Sequence, residues 1–168
     1  LPENAGFSGT FYIPFLAEGY LHLDILESAK PYFERITKLR GFLYYGLSVD
    51  RVLGELATLT GDWTTAERAF EDGLQLCRRA NNRPEEAAIL YEQARMGVMR
   101  GEDAQHLRPV CEQARTLFLE YEMKRAAELV DTLLEGVQAL EMVQERSTQQ
   151  SSMKQAEVRT SNHVIHLK

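Results

Sequence analysis

Apolar residues along this chain recur at helical rather than strand spacing, from about Tyr12 to Leu140. The clusters of β-branched residues that are typical of strands are missing from this stretch. The pattern therefore predicts an all-α domain of about seven helices. We expect these helices over residues 12–23, 25–39, 43–60, 63–80, 84–100, 104–121 and 124–141.

Residues that begin or end helices stand between the predicted segments. Side chains that can cap a helix N-terminus precede four of them, at Asp24, Asp62, Asn82 and Asp103. Glycines that can end a helix in left-handed backbone follow three of the predicted helices, at Gly41, Gly61 and Gly101. Pro31 and Pro109 fall inside predicted helices, so we expect a later start or a kink there.

The predicted helices form repeated pairs. A shift of 40 residues places Gly54, Ala57 and Gly61 over Ala94, Gly97 and Gly101. A shift of 41 places Ala66, Phe70 and Cys77 over Leu107, Cys111 and Phe118, and a shift of 37 places Leu16, Ala29 and Phe33 over Leu53, Ala66 and Phe70. Each unit is thus a helix hairpin with small residues where two backbones approach and larger residues where the gap is filled.

This order of small and large positions resembles the tetratricopeptide repeat family. The first unit fills the family pattern with Ile13, Leu16, Ala17, Tyr20, Ala29 and Phe33, and the second with Leu53, Gly54, Ala57, Ala66 and Phe70. The third unit keeps Leu90, Ala94, Gly97 and Val110 or Cys111, but has Gln93 in the Leu place. The period of about 37 to 41 residues also exceeds the 34 of the family, so the chain is tetratricopeptide-like over residues 12 to 140.

The resemblance implies antiparallel helix hairpins stacked in a right-handed superhelix whose first helices line a concave binding face. The groove positions of the family, transferred by register, are Phe11, Glu18, His22, Arg51, Glu55, Tyr91, Arg95 and Met99. Their charges alternate in sign, so a peptide of mixed charge or a neighbouring domain would suit the groove. Alternatively, Glu18, Arg51, Glu55 and Arg95 pair with one another as exposed ion pairs.

Two phrases, at residues 61–70 and 82–87, also resemble the repeat segments of bacterial multidomain ATPase regulators of the LuxR/MalT type. This resemblance implies a non-catalytic protein-interaction or sensor scaffold, in the cytoplasm, within a signalling or transcription regulator. The alternative is a stand-alone adaptor or chaperone-like peptide-binding protein. We expect no enzyme activity in either case.

The chain divides into three parts. Residues 1–11 are interpreted as a lead-in from a preceding repeat or linker, residues 12–141 as three hairpins with a capping helix, and residues 142–168 as a polar tail or linker. The start at Leu1, without a targeting signal, is typical of a piece of a longer chain. A solenoid cut in this way exposes an apolar end at its first hairpin, where we expect weak homodimerisation.

Composition narrows the partners further. There are 25 acidic and 19 basic residues, a net charge of −6, which argues against direct binding of nucleic acid. No apolar run approaches the roughly 18 residues that span a bilayer, so we expect no membrane partner. Cys77 and Cys111 fall on apolar stripes, where we expect buried free thiols in a reducing compartment.

Motifs for catalysis or cofactors are missing from the sequence. It has neither a P-loop nor a dinucleotide fingerprint, and we expect no cofactor and no metal. His163 and His166 are interpreted as solvated tail residues, and Ser151 with Lys154 as a chance match to an acyl-transfer motif. Glu85 and Glu86 are explained by the dipole at a helix N-terminus.

Aromatic residues add two expectations. Trp63 is interpreted as packing between hairpins rather than in a ligand cage. Phe42, Tyr44 and Tyr45 lie next to each other on a predicted helix, so they cannot all face inward and one should be exposed.

Overall fold

The computed structural model describes the backbone of residues 12–23 and 25–165, and the side chains of these residues up to residue 150. It is mostly helical, which confirms the predicted all-α class. The helices are α1 (Ile13–His22), α2 (Leu26–Ala29), α3 (Phe33–Thr37), α4 (Val49–Thr60), α5 (Trp63–Arg79), α6 (Arg83–Arg100), α7 (Ala104–Glu120) and α8 (Lys124–Ile165). A short 3-10 helix (Lys30–Tyr32) joins α2 to α3, and strands β1 (Leu43–Tyr44) and β2 (Leu47–Ser48) precede α4.

Local signals fix several helix ends as predicted. Asp62 accepts a hydrogen bond from the Thr65 backbone N–H (3.1 Å) at the start of α5, and Asp103 accepts one from Gln105 (2.9 Å) at the start of α7. Gly61 and Gly101 end α4 and α6 in left-handed backbone, with φ of 78° and 71°. The predicted cap at Asp24 lies outside the described residues.

The predicted helix over residues 43–60 is wrong in its first six residues. Leu43 pairs with Ser48 and Tyr44 with Leu47 in an antiparallel hairpin, and Tyr45 and Gly46 form its turn with φ of 49° and 91°. Two successive positive φ angles are typical of the tight turns that match strand twist, and they exclude a right-handed helix. Two of the three aromatic residues, Phe42 and Tyr45, are exposed where one was predicted, and Tyr45 lies in the turn of a hairpin rather than on a helix.

Pro31 interrupts the predicted helix over residues 25–39. The chain takes the tighter 3-10 form at Lys30–Tyr32 and then resumes as α3. Proline has no backbone N–H to continue an α-helical ladder, which accounts for the break. Pro109 has no such effect, because α7 runs through it from Ala104 to Glu120.

The last helix does not end at residue 141, as the sequence pattern predicts, but continues to Ile165. The sequence after Gly136 contains no glycine or proline, so the polar composition of the predicted tail does not break the helix. Gln144 ties this part of α8 to the body, since its amide donates to the Glu102 carbonyl (3.0 Å) and accepts from the Ala104 N–H (3.2 Å). The predicted lead-in, residues 1–11, lies outside the described residues.

Consecutive long helices, from α4 to α8, pack against each other in chain order. Within pairs, small residues admit large ones: a Cβ on Gly54 would overlap the ring of Phe70, and a Cβ on Gly97 would overlap the Leu107 side chain. The repeat alignment relates Gly54 and Phe70 to Ala94 and Cys111. The two helix pairs therefore place their large side chain, Phe70 or Leu107, at different positions of the repeat. Both pairs are nevertheless closely packed.

Candidate functional site

Arg51 on α4 is the centre of a buried charge cluster. Its side chain is 8% exposed and its Nε donates to Glu85 Oε1 on α6 (2.8 Å). Its Nη2 donates to Glu18 Oε1 on α1 (2.5 Å), and its Nη1 donates to Glu55 on α4. We call these four residues the Arg51 cluster. One guanidinium thus joins three helices, which its planar array of donors allows.

The local sequence explains how the cluster forms. Glu55 follows Arg51 by four residues and therefore shares its helix face. Glu85 lies in the first turn of α6, and its Oε1 also accepts from the Ser48 backbone N–H (2.7 Å). Ser48 in turn caps α4, with its hydroxyl 3.4 Å from the Arg51 N. The end of the hairpin is therefore fixed directly against the cluster.

A second ion pair extends the charges along α6. Arg95 Nε donates to Glu92 Oε2 (2.7 Å), and both side chains are largely buried. Glu92 follows Glu85 by seven residues, two helical turns on the same face. Together with the Arg51 cluster, this pair gives four carboxylates and two guanidinium groups. The formal charge is therefore −2 when every group is ionised.

The buried charges perturb one another. Burial raises the pKa of Glu55 to about 8, and the nearby Glu92 carboxylate adds to this, although Arg51 and Arg95 oppose it. Burial opposes the charge of Arg51, but the carboxylates of Glu55, Glu85 and Glu18 outweigh it and raise the pKa of Arg51. Arg51 therefore stays charged, whereas burial shifts Glu55 towards its neutral form. The net charge of the site stays negative.

A cavity of about 480 Å³ opens beside these charges. Three carboxylates of the site, those of Glu18, Glu85 and Glu92, line it together with Arg51 and His22. Apolar side chains of α6, α7 and α8 and of the loop between α7 and α8 line it as well, at Ala88, Phe118, Met123, Ala126 and Leu129. The cavity therefore has charged and apolar lining residues, and its size is typical of ligand pockets.

The structure brings together most of the predicted groove residues. Glu18, His22, Arg51 and Tyr91 line the cavity, and Glu55 and Arg95 belong to the charge network beside it. Met99 is exposed and lies outside the lining, and Phe11 lies outside the described residues. The alternative interpretation as exposed ion pairs has the right partners for Arg51, which pairs with Glu18 and Glu55. It is wrong for Arg95, which pairs with Glu92, and wrong in the environment, because the Arg51 and Glu55 side chains are 8% and 5% exposed.

Sequence reasoning missed Glu85 and Glu92. The helix dipole accounts for the place of Glu85 in the first turn of α6, but it does not predict that Glu85 is buried and bonded to Arg51 and Ser48. The seven-residue spacing of Glu85 and Glu92 was the available signal. The apolar lining residues gave no signal, since Phe118 and Leu129 resemble ordinary packing positions.

Other candidate features are structural. Cys77 and Cys111 are buried free thiols, as predicted, and burial together with Glu85 and Glu86 raises the pKa of Cys77 to about 12. Trp63 packs partly against the core, with the Arg100 guanidinium 6.0 Å from the centre of its ring. A larger cavity of about 700 Å³ lies between α7 and α8, but all of its described lining residues have polar or charged side chains.

Two further kinds of site are absent from the described residues. No group of three or more histidine, cysteine or acidic side chains there is arranged to hold a metal ion. Among the same residues, no helix combines the length and the apolar character needed to cross a bilayer. The pair His163 and His166 lies outside the described side chains.

Comparison with known proteins gave no relative. No family model, curated protein or solved structure matches this chain.

Proposed function

We propose that this chain is a non-catalytic scaffold that binds a protein or peptide partner in the cavity beside the Arg51 cluster. The observation that carries the proposal is the cavity itself, about 480 Å³ in volume and lined by residues of separate helices and of the hairpin. A partner there would contact α1, β2, α4, α6 and α8 at once. The resemblance to tetratricopeptide repeats, which implies hairpins stacked as a right-handed superhelix, supports the same role.

The buried charge network supports binding rather than flexible surface pairing. Every carboxylate of the network accepts a hydrogen bond from a guanidinium of Arg51 or Arg95, so the groups are held in place before a partner arrives. A site fixed in this way loses less conformational entropy on binding. We place the scaffold in a cytoplasmic bacterial multidomain regulator, where binding would bias a neighbouring domain.

Photo-crosslinking in cells that express the protein tests this proposal. A photoreactive amino acid replaces Leu129, which lines the cavity and is 57% exposed. The matched control replaces Val143, which is 58% exposed and lies on the same helix outside the cavity. We expect a protein adduct from position 129 that Ala88→Trp, which fills the cavity, abolishes. Equal adducts from both positions, or none from position 129, would contradict the proposal.

A further inference from the structure

The charges around the cavity are unbalanced in favour of a cation. Three carboxylates line it, those of Glu18, Glu85 and Glu92, against the Arg51 guanidinium in its described lining and the Arg95 guanidinium that pairs with Glu92, so these five groups carry one negative charge in excess. Arg51 is already bonded to three carboxylates, so it offers little attraction to an acidic partner. We therefore expect the cavity to prefer a positively charged partner, rather than the partner of mixed charge that the sequence predicts.

Each lining carboxylate retains one oxygen for a further donor. Glu85 receives the hydrogen bonds from Arg51 and Ser48 on Oε1, and Glu18 receives that from Arg51 on Oε1. Glu92 receives the hydrogen bond from Arg95 on Oε2. Within the part of the chain that the structure describes, the second oxygen of each of these carboxylates accepts no hydrogen bond.

The remaining lining favours an apolar group next to that cation. Phe118, Met123, Ala126 and Leu129 line the same cavity, and Met123 and Leu129 are 40% and 57% exposed. Exposed apolar side chains around a cavity gain free energy when a partner covers them. A free inorganic cation would leave these side chains in water, whereas a peptide side chain with a neighbouring apolar residue would cover them.

We infer that the partner inserts a lysine or arginine side chain, flanked by apolar residues, into the cavity between the free carboxylate oxygens and the apolar lining. This inference rests on the proposed function and specifies the chemistry of its partner. A primary ammonium or guanidinium supplies several N–H donors, enough for more than one of these oxygens. Charge-assisted hydrogen bonds of this kind are stronger than neutral ones.

Three synthetic peptides test the inference with the full chain. They share leucine residues around a central position that is lysine, norleucine or glutamate, so the first two differ in the ammonium group. Fluorescence anisotropy of labelled peptides measures the dissociation constants at low and high salt. We expect the lysine peptide to bind at least about tenfold more tightly than the norleucine peptide, the effect of one charge-assisted hydrogen bond. Higher salt should reduce the difference.

Two variants test whether the preference for the lysine peptide depends on the cavity. Glu92→Gln should reduce the preference for lysine, whereas Glu112→Gln, the same change at an exposed residue outside the cavity, should not. Circular dichroism verifies the fold of each variant, and Glu18→Gln replaces Glu92→Gln if the latter does not fold.

The outcomes separate this inference from the proposed function. Equal or tighter binding of the norleucine or glutamate peptide would overturn the inference and leave the scaffold function in place. Absence of binding by all three peptides, together with a specific crosslink at position 129, would do the same. Absence of both peptide binding and crosslink would overturn the inference and the proposed function together.

Discussion

Arg51 Nε donates to Glu85 Oε1 at 2.8 Å and so joins α4 to α6 across 34 residues of sequence. The same guanidinium also bonds Glu18 and Glu55. The side chains of all four residues of the Arg51 cluster are at most 20% exposed. A buried charge that loses its partner carries a large desolvation cost. The Arg51 cluster therefore lines the candidate site and also determines the stability of the fold.

Removal of Arg51 should destabilise the fold strongly. Arg51→Met leaves three buried carboxylates without their common donor, and we expect a loss of about 3 to 5 kcal/mol in the free energy of unfolding. Arg115→Met is the control, because Arg115 forms an exposed pair with Asp131 (2.5 Å) and should matter far less. Urea denaturation followed by circular dichroism measures both. Equal losses in the two variants would contradict the central role of Arg51.

The burial of Arg51 also makes its charge reversal a poor test of partner binding. If Arg51 were an exposed groove residue, its reversal would weaken partner binding and leave helicity intact. In the structure the side chain is 8% exposed among carboxylates, so Arg51→Glu should reduce helicity itself.

Stability should depend on the protonation of Glu55. Its pKa is about 8 in the folded chain and has its ordinary, lower value in the unfolded chain. The raised pKa contributes stability at acid pH, and this contribution is lost as pH rises through about 8. We expect Glu55→Gln to flatten the fall in unfolding free energy between pH 5 and pH 9, measured by urea denaturation. A slope as steep as in the wild type would contradict the raised pKa of Glu55, and Glu112→Gln is the matched control.

Close packing at Gly54 should make this position intolerant of any side chain. Gly54→Ala would place a Cβ against the ring of Phe70, and we expect a loss of about 1 to 3 kcal/mol from overpacking. Gly136→Ala, in α8 with open space around its Cβ, should instead stabilise the protein by about 0.5 to 1 kcal/mol. Thermal unfolding compares the two. Similar changes in melting temperature would argue against the helix contact at Gly54.

The two thiols should be unreactive in the folded protein. Cys77 and Cys111 are buried, and burial raises the pKa of both, so little thiolate forms near neutral pH. We expect Ellman's reagent at pH 8 to modify both thiols only after unfolding in urea. Gln113→Cys, at an exposed position of α7, should react at once and so serves as the control. Rapid modification of the native wild type would contradict this.

Sequence reasoning succeeded where local signals decide the structure. Asp62 and Gly61 mark helix ends through backbone preferences within a few residues, and the structure confirms both. The hairpin at residues 43–48 was missed because its decisive feature is the left-handed backbone of Tyr45, which composition does not reveal. The contact of Glu85 with Arg51 was missed for a different reason, since it depends on how distant helices pack.

The length of α8 has a mechanical consequence. Ala126 and Leu129, near the start of the helix, line the cavity, and the same helix continues to Ile165. From Gln144, which holds the helix to the body, to Ile165 is about 32 Å at the rise of an α-helix. A tilt of about 10° around Gln144 would move the far end by roughly 5 Å. From Leu129 to Gln144 is about 22 Å along the same helix, so a rotation about Gln144 would move the far end only about 1.4 times as far as the cavity end.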